Sequence, residues 1–292
     1  MHKFTVSDVS KEDFDFSLLS PSDDYWANIC DKIDKSVNNH LLELKNMKDY
    51  HGRLYYDGYT DLELRRHINP HNVVSNLQLK NEEYLCMLFS EGYLDRLSEE
   101  IHKRYMFEGS LNQQWIKNSL FYPVYNFINN HFIIANKAFK HSKSNDLKSW
   151  LITNNFVEQK EIEAIISSKE ILNYSQAAQQ AVINLFGSSE AELFSTSNHE
   201  DIRLEAYKKI GLINSIDRML KDKSAMIRCH AAKSMRLGDP RFKALANEKA
   251  KTVFSVVIRK APIDIFPLLI GNKNLKDNYI KLEFKKRMED KN

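Results

Sequence analysis

The amino-acid sequence predicts an all-α protein whose C-terminal half is a series of repeated helices. Apolar residues spaced by four recur along this half, and this spacing places three of them on one face of each predicted helix. The five triplets are Ala177-Ala181-Leu185, Ile202-Ala206-Ile210, Ile227-Ala231-Met235, Val253-Val257-Ala261 and Ile280-Phe284-Met288. Their first members lie 25, 25, 26 and 27 residues apart. The chain of 292 residues contains only 8 Gly and 6 Pro, which favours helices joined by short connections.

The second and third of these helices share a short motif. It reads Asp201-Ile202-Arg203-x-x-Ala206 and then Met226-Ile227-Arg228-x-x-Ala231-Ala232. The motif resembles the core of a HEAT-type helical repeat. Because HEAT and armadillo repeats usually have about 40–47 residues, the shorter period is more similar to the leucine-rich-repeat variant branch of the armadillo-type superfamily. The resemblance covers residues 177–288 and departs at Ala178, Phe254 and Lys281, which stand where the motif has Arg.

The resemblance implies an α-solenoid that binds other macromolecules, and it implies no particular chemistry. In the family, arginines at this place usually bridge to an acidic turn nearby, and Leu220-Lys221-Asp222 is similar to that turn. We therefore expect Arg203 and Arg228 to be structural first and ligand-binding second. Asp222 is the candidate partner of Arg228.

Charge is distributed unevenly along the chain, although the net charge is only +3. Residues 1–150 hold 18 Lys and Arg against 21 Asp and Glu, a balance of −3. Residues 200–292 hold 22 against 12, a balance of +10. This asymmetry predicts an acidic or nucleic-acid partner for the basic C-terminal half.

Other compositional features predict a cytoplasmic protein without a membrane span. The cysteines are odd in number and far apart, at Cys30, Cys86 and Cys229, which argues against a disulfide framework and fits a reducing compartment. The first residues lack the apolar region of a signal peptide, and no stretch approaches 18 apolar residues.

The N-terminal half begins with a polar segment, residues 1–19, that we expect to be a loosely packed arm. A helix is predicted from Ser20, as its cap, to about Met47. Residues 53–80 are the least regular part. Asp57-Gly58 favours a short β-hairpin, and Thr60 opens a short helix that Asn69-Pro70 stops. Two further helices are predicted at residues 81–89 and 94–105.

A long apolar helix is predicted over residues 111–140, kinked or split at Pro123. The polar run 141–146 then marks a domain boundary, and Asp146 can cap a helix through Thr153. We therefore predict a helical N-terminal domain, residues 1–146, and a helical-repeat domain, residues 147–292. Helices over 161–168 and 174–186 lead into the repeats.

No motif for phosphate, dinucleotide or zinc-dependent chemistry is present in the sequence, so we predict no catalytic residues, metal site or cofactor. His67 and His71 have the spacing of two helical metal ligands, but Asn69-Pro70 interrupts the helix between them. Surface histidines beside a turn are therefore the favoured interpretation. The adjacent Cys229 and His230 point about 100° apart on a helix, so Cys229 is interpreted as a small packing residue.

Three tyrosines, Tyr55, Tyr56 and Tyr59, have two interpretations. If exposed beside Arg53, Arg65 and Arg66, they could stack on bases or anchor a partner. If buried, they pack this irregular segment against helices. We favour burial, because the segment needs a core.

A basic residue stands six positions after the first member of each of the last four triplets, about 200° from the centre of the apolar face. These outward residues, which we call the ladder, are Lys208, Lys233, Arg259 and Lys286. Lys209, Lys260 and Arg287 each follow a ladder residue directly. We call these three the second basic row. The first triplet has Ile183 at the ladder position. Outward positions are often charged in any helix, so the alternative is a solvated face.

Three hypotheses about function follow. The first is a non-enzymatic α-solenoid binding module, or adaptor, that engages an acidic protein partner through its basic repeat surface. The second is a helical-repeat protein that binds nucleic acid, possibly similar to a DNA glycosylase, with the ladder on phosphates. The third is an enzyme with its site in the N-terminal half, which no motif supports. In the first two the binding residues are those of the ladder with Lys209, Lys260 and Arg287.

Overall fold

The computed structural model describes residues 4–105 and 113–289, and within them all regular secondary structure is helical. This confirms the all-α fold class. The chain divides into two compact units, Met1–Glu161 and Ile162–Asn292, whereas the sequence analysis places the boundary after residue 146. The helix after that position packs with the first unit, because the Trp150 ring stacks on Phe121 at 4.9 Å.

The first unit contains ten helices among its described residues, the last of which crosses the division between the units. They are α1 (Val6–Val9), α2 (Asp23–Asn46), α3 (Asp61–Arg65), α4 (Pro70–Ser75), α5 (Asn81–Phe89), α6 (Tyr93–Tyr105), α7 (Gln113–Asn129), α8 (Phe132–His141), α9 (Asn145–Thr153) and α10 (Gln159–Ser167). A 3₁₀ turn covers Phe16–Leu19. The cap of α2 is Ser22, which accepts from the Tyr25 N–H at 3.3 Å, and not Ser20 as predicted.

Residues 4–19 are packed and do not form the loose arm that the polar composition of residues 1–19 predicts; residues 1–3 lie outside the described residues. Val9 and Leu19 are fully buried. The Phe16 ring lies between two others, at 4.6 Å from Phe89 and 4.6 Å from His141. Scattered aromatic residues thus fix a segment that is polar on average, because each aromatic ring buries a large apolar area.

The long apolar stretch forms two helices, and the break is not at Pro123. Helix α7 continues through Pro123, and the chain breaks at Asn130 and His131. The Asn130 side chain donates to the Asn126 carbonyl at 3.0 Å and satisfies one acceptor at the end of α7. Asn69 and Pro70 follow α3 and also begin the next helix. Asn69 is the cap of α4, and Pro70 is its first residue.

The second unit consists of helices with short connections. They are α11 (Gln176–Leu185), α12 (Ser188–Phe194), α13 (Glu200–Ile210), α14 (Leu212–Met219), α15 (Ala225–Ser234), α16 (Lys251–Lys260), α17 (Phe266–Leu269) and α18 (Asn278–Glu289). The 3₁₀ turns are Glu170–Asn173, Pro240–Leu245, Ile263–Ile265 and Lys273–Lys276. Gly211, at a φ of +107°, is the single residue between α13 and α14, where an L side chain would be strained.

The predicted apolar faces are buried in α15 and α16, and they are partly buried in α13 and α18, where Ile210 is half-buried and Met288 is 40% exposed. The face of the first triplet, on α11, departs from the prediction. There Ala177 is exposed and Leu185 is 63% exposed, while Ala178 and Val182 are buried. The register of α11 is therefore one residue later than predicted, because Ala177 and Ala178 fit the apolar pattern equally well from sequence alone. The buried first members are Ala178, Ile202, Ile227, Val253 and Ile280.

A continuous cluster of buried apolar side chains runs from Leu204 on α13 to Ile280 on α18. Within it α14 packs against both α13 and α15, α15 packs against α16, and α16 packs against α18. Within the described ranges, every helix is too short or too polar to cross a membrane.

Candidate functional site

Arg203 of the shared motif is buried and holds together one turn of the second unit. Its Nε and Nη2 atoms donate to the two carboxylate oxygens of Asp222, each at 2.8 Å. Its Nη1 atom donates to the main-chain carbonyls of Ser197 at 2.9 Å and Asn198 at 3.2 Å. One side chain thereby satisfies a carboxylate and two turn carbonyls, an arrangement that we call the turn clasp.

Arg228 forms the same clasp one repeat later, with a different partner from the one predicted. Its Nε and Nη2 atoms donate to Glu248 at 2.7 and 2.9 Å, and its Nη1 atom donates to the carbonyls of Asp222 and Lys223. The Asp222 carboxylate is held by Arg203. The prediction that Asp222 pairs with Arg228 is thus wrong, because each guanidinium takes the carboxylate about twenty residues after it, while the preceding turn contributes main-chain carbonyls.

The same place in the neighbouring repeats carries other residues that serve the turn carbonyls. In α11 the Gln179 amide donates to the carbonyls of Leu172 and Tyr174 at 3.2 and 2.9 Å. In α16 Phe254 has no donor, and the Asn272 side chain donates to the Ala246 and Glu248 carbonyls at 2.9 and 3.0 Å.

Both carboxylates of the clasp have a pKa below the usual range. Burial opposes ionisation of Asp222, but hydrogen bonds from Arg203 and the Ser224 N–H outweigh it and lower its pKa. Hydrogen bonds from Arg228 lower the pKa of Glu248 against the opposing effect of burial. Both carboxylates are buried, and each is paired with the guanidinium of one arginine.

All four ladder residues are exposed in the last turns of their helices. Lys208 lies 2.5 Å from Glu205 on its own helix. Within residues 4–105 and 113–289, Lys233, Arg259 and Lys286 make no ion pair, and Arg259 donates to Ser255 alone. Three cations of the ladder are therefore available to a partner.

The second basic row bonds to the preceding repeat. Lys209 donates to the carbonyls of Ile183 and Phe186 at the end of α11. The sequence analysis did not anticipate this contact, which places a cation at the negative end of a helix and satisfies carbonyls that lack helical partners.

The later members of this row make the same contact. Lys260 donates to Met235 and, at 2.6 Å, to the Lys233 carbonyl at the end of α15, and Arg287 donates at 2.8 Å to the Ala261 carbonyl after α16. The C-terminal ends of α15, α16 and α18 therefore lie side by side. Lys233, Arg259 and Lys286 share this border, which we call the basic edge.

Two of the three clustered tyrosines, Tyr55 and Tyr59, are exposed, contrary to the favoured interpretation. Tyr55 is 60% and Tyr59 is 47% exposed, while Tyr56 is half-buried against His67 at 4.9 Å. The hairpin-like turn lies earlier than predicted, closed by an antiparallel bridge between Lys48 and Leu54. Asp49 makes this turn by accepting from the N–H groups of residues 51 and 53.

The two spaced histidines belong to separate contacts. His67 lies between α3 and α4 against Tyr56, whereas His71 lies in α4 and packs edge-on against Tyr122 at 4.8 Å. In the described part of the chain, no cluster of three or more His, Cys, Asp or Glu side chains could hold a metal ion.

The cavities in the first unit include two with histidines of interest in their lining. One, of about 390 Å³, is lined by Ser90, Glu91 and His141 among others. Burial and the nearby charges of Lys137 and Lys140 lower the pKa of His141, whose ring packs against Phe16. The other, of about 320 Å³, is lined by residues of α2 and the α3–α4 connection, including His40 and His67.

The buried cysteine of the first unit is not an activated nucleophile. Cys86 donates to the Leu19 carbonyl at 3.1 Å, and burial raises the pKa of its thiol to about 12. It therefore remains a protonated thiol at neutral pH. Cys229 is partly buried against the apolar core of the second unit, as its interpretation as a packing residue predicts.

Comparisons of the chain with protein-family models, with curated proteins and with solved structures found no match.

Proposed function

We propose that this protein is a non-enzymatic α-solenoid binding module, an adaptor that engages an acidic protein partner through the basic edge. The observation that carries the proposal is the side-by-side placement of three helix ends by Lys260 and Arg287. This placement sets Lys233 and Arg259 beside Lys286, and none of the three makes an ion pair among the described residues. Clustered cations attract an acidic surface and speed its association.

The repeated turn clasp supports the solenoid part of the proposal. Successive repeats place Gln179, Arg203 and Arg228 at equivalent positions, and each bonds to carbonyls of the turn before it. A contact that recurs once per repeat links each repeat to the next. Helical-repeat proteins are built in this way and offer extended surfaces for partners.

A protein partner fits the basic edge better than nucleic acid does. The three cations lie in last turns, where each helix end carries a partial negative charge of about half an elementary charge. That charge weakens the attraction of the edge for any anion, and it weighs most against nucleic acid, whose non-specific binding rests almost entirely on charge. An acidic protein surface has sparser charges and can place each carboxylate against one cation.

The test is a charge reversal of the edge, Lys233→Glu with Arg259→Glu and Lys286→Glu, against a matched control. The control is Lys221→Glu with Lys243→Glu and Lys276→Glu, three exposed lysines of the same unit outside the edge. Binding of a labelled oligoglutamate peptide and of a short DNA duplex is measured at two salt concentrations, with circular dichroism to confirm folding.

Reversal of the edge should weaken peptide binding by about tenfold or more, because attraction becomes repulsion at three neighbouring sites. The control should change it much less. Equal losses in the two variants would overturn the proposal. Tighter binding of the duplex, with a salt slope that falls by about one per phosphate contact removed, would favour the nucleic-acid hypothesis instead.

A further inference from the structure

Helix α18 presents an apolar stripe that adjoins the basic edge. Tyr279, Leu282 and Lys286 are spaced i, i+3 and i+7, which places them on one side of the helix. Tyr279 is 60% exposed and Leu282 is 66% exposed. Two large apolar side chains are thus exposed to solvent beside Lys286 of the basic edge.

The opposite side of α18 anchors the helix, so the stripe faces away from the core. Ile280 is buried, and the Phe284 ring stacks on Phe266 at 5.0 Å. Arg287 holds the Ala261 carbonyl at 2.8 Å. These contacts fix the rotation of the helix about its axis.

Equivalent positions in earlier repeats are covered. Leu282 corresponds to Leu204 on α13, which is only 7% exposed, and to Cys229 on α15, which packs against the apolar core. Tyr279 corresponds to Met226, which packs against the same core. Neighbouring elements therefore cover the Leu282 position on α13 and partly cover both positions on α15, while Asp201 at the Tyr279 position of α13 is exposed. No element among the described residues covers either position on α18.

Charge decides which kind of partner can cover the stripe. Lys281 and Lys285 lie on one side of it, both exposed and without an ion pair in the described ranges, Glu283 lies on its other side, and Lys286 lies within it. A second copy of α18 packed two-fold symmetrically would bring these lysines against one another and Glu283 against its copy, which is unfavourable. A partner with acidic residues along one side of an apolar face would satisfy the lysines and bury Tyr279 and Leu282.

We propose that the stripe of α18 docks an amphipathic helix of the acidic partner, with its apolar face on Tyr279 and Leu282 and its flanking carboxylates on the lysines. This inference rests on the proposed function and specifies the form of the partner. A helix suits the site because helices present apolar residues at the three- and four-residue spacing that matches the ridges of α18. Lys286 joins the docking stripe to the rest of the basic edge.

Two labelled peptides of identical composition, about 18 residues long so that a helix can form, test the inference. In the amphipathic peptide the leucines share one helical face and the glutamates lie along one side of that face. In the scrambled peptide the same residues are distributed around the helix. Binding of each is measured by fluorescence anisotropy to wild type, to Leu282→Asp, and to Ile213→Asp as control. Ile213 is 76% exposed on α14 and lies outside the stripe.

The amphipathic peptide should bind at least about tenfold more tightly than the scrambled peptide, because only it can bury its leucines against the stripe. Leu282→Asp should abolish this preference, and Ile213→Asp should preserve it. Both variants alter exposed positions, and circular dichroism checks that they fold.

The outcomes separate this inference from the proposed function. Equal affinity for the two peptides, with both weakened by Lys233→Glu and Arg259→Glu, would overturn the helix-docking inference and leave the acidic partner. If Leu282→Asp removes the preference for the amphipathic peptide while Lys233→Glu and Arg259→Glu leave its binding unchanged, only the proposed function would be overturned. Absence of binding to either peptide would overturn both. Self-association in sedimentation experiments that Leu282→Asp removes would show that a second copy covers the stripe.

Discussion

Four side chains stand at one place in successive repeats, Gln179, Arg203, Arg228 and Phe254, and their chemistry differs. Each of them lies next to main-chain carbonyls of a turn. Such carbonyls need a hydrogen-bond donor, because leaving them buried without one costs free energy. An amide meets this need in α11 and a guanidinium meets it in α13 and α15. Where Phe254 cannot donate, Asn272 supplies the donor from the following turn.

At this scale we predict unequal effects of removing the two arginines. Both side chains of the Arg203–Asp222 pair are only 4% exposed, so Arg203→Met leaves a buried carboxylate without its partner and should cost about 3 to 5 kcal/mol. The Arg228 side chain is 20% exposed, and water can reach its site. Arg228→Met should therefore cost less. Urea unfolding followed by circular dichroism measures both.

A double-mutant cycle provides the control for this prediction. Combining Arg203→Met with Asp222→Asn removes the unpaired charge, so the double variant should be more stable than Arg203→Met alone. Additive losses from the two substitutions would contradict the clasp as described.

At the scale of the helix, cations in the last turns of neighbouring helices have different surroundings. Lys233 is exposed and its side chain makes no ion pair among the described residues, whereas Lys260 donates to two carbonyls at the end of α15. The sequence analysis groups Lys260 with the binding residues. The contacts of Lys260 show that it also links two repeats.

We predict that Lys260→Met destabilises the second unit by about 1 kcal/mol, since hydrogen bonds from a charged donor are lost at a partly exposed site. Lys233→Met should change stability by less than about 0.5 kcal/mol. Hydrogen exchange should also accelerate at the end of α15 in Lys260→Met only. Equal stability of the two variants would show that the Lys260 contacts contribute nothing to the link between repeats.

At the scale of the whole molecule, the two units carry different spectroscopic probes. The three tryptophans, Trp26, Trp115 and Trp150, all belong to the unit that ends at Glu161. Tryptophan fluorescence therefore follows the first unit, while far-UV circular dichroism follows both.

Acid should destabilise the second unit through the clasp carboxylates. The pKa values of Asp222 and Glu248 are lowered on folding from unfolded values near 3.9 and 4.3. Their contribution is fully present above those unfolded values and is lost as the pH falls through the lower folded values. We predict a circular dichroism melting temperature that falls steadily from about pH 5 downwards.

The combination of Arg203→Met with Asp222→Asn should flatten this dependence, because one of the two lowered carboxylates is gone. The fluorescence transition of the first unit should be unaffected by these substitutions. A melting profile with the same slope in wild type and the double variant would contradict the role of Asp222 in acid stability.

The sequence by itself determined the all-α class, most helices of the second unit and the outward positions of the ladder. These follow from periodicity and from the scarcity of Gly and Pro, which act along the chain. The register of α11 did not follow, since Ala177 and Ala178 are equally apolar neighbours and only packing distinguishes them.

Only the tertiary structure decided which groups meet. Asp222 is close in sequence to Arg228, yet Arg203 holds its carboxylate, because helical repeats bring residues about twenty apart into contact. The contacts of Lys260 and the exposure of Leu282 likewise depend on neighbouring helices. Periodicity indicates which side of a helix faces outward, and packing alone decides whether another element covers it.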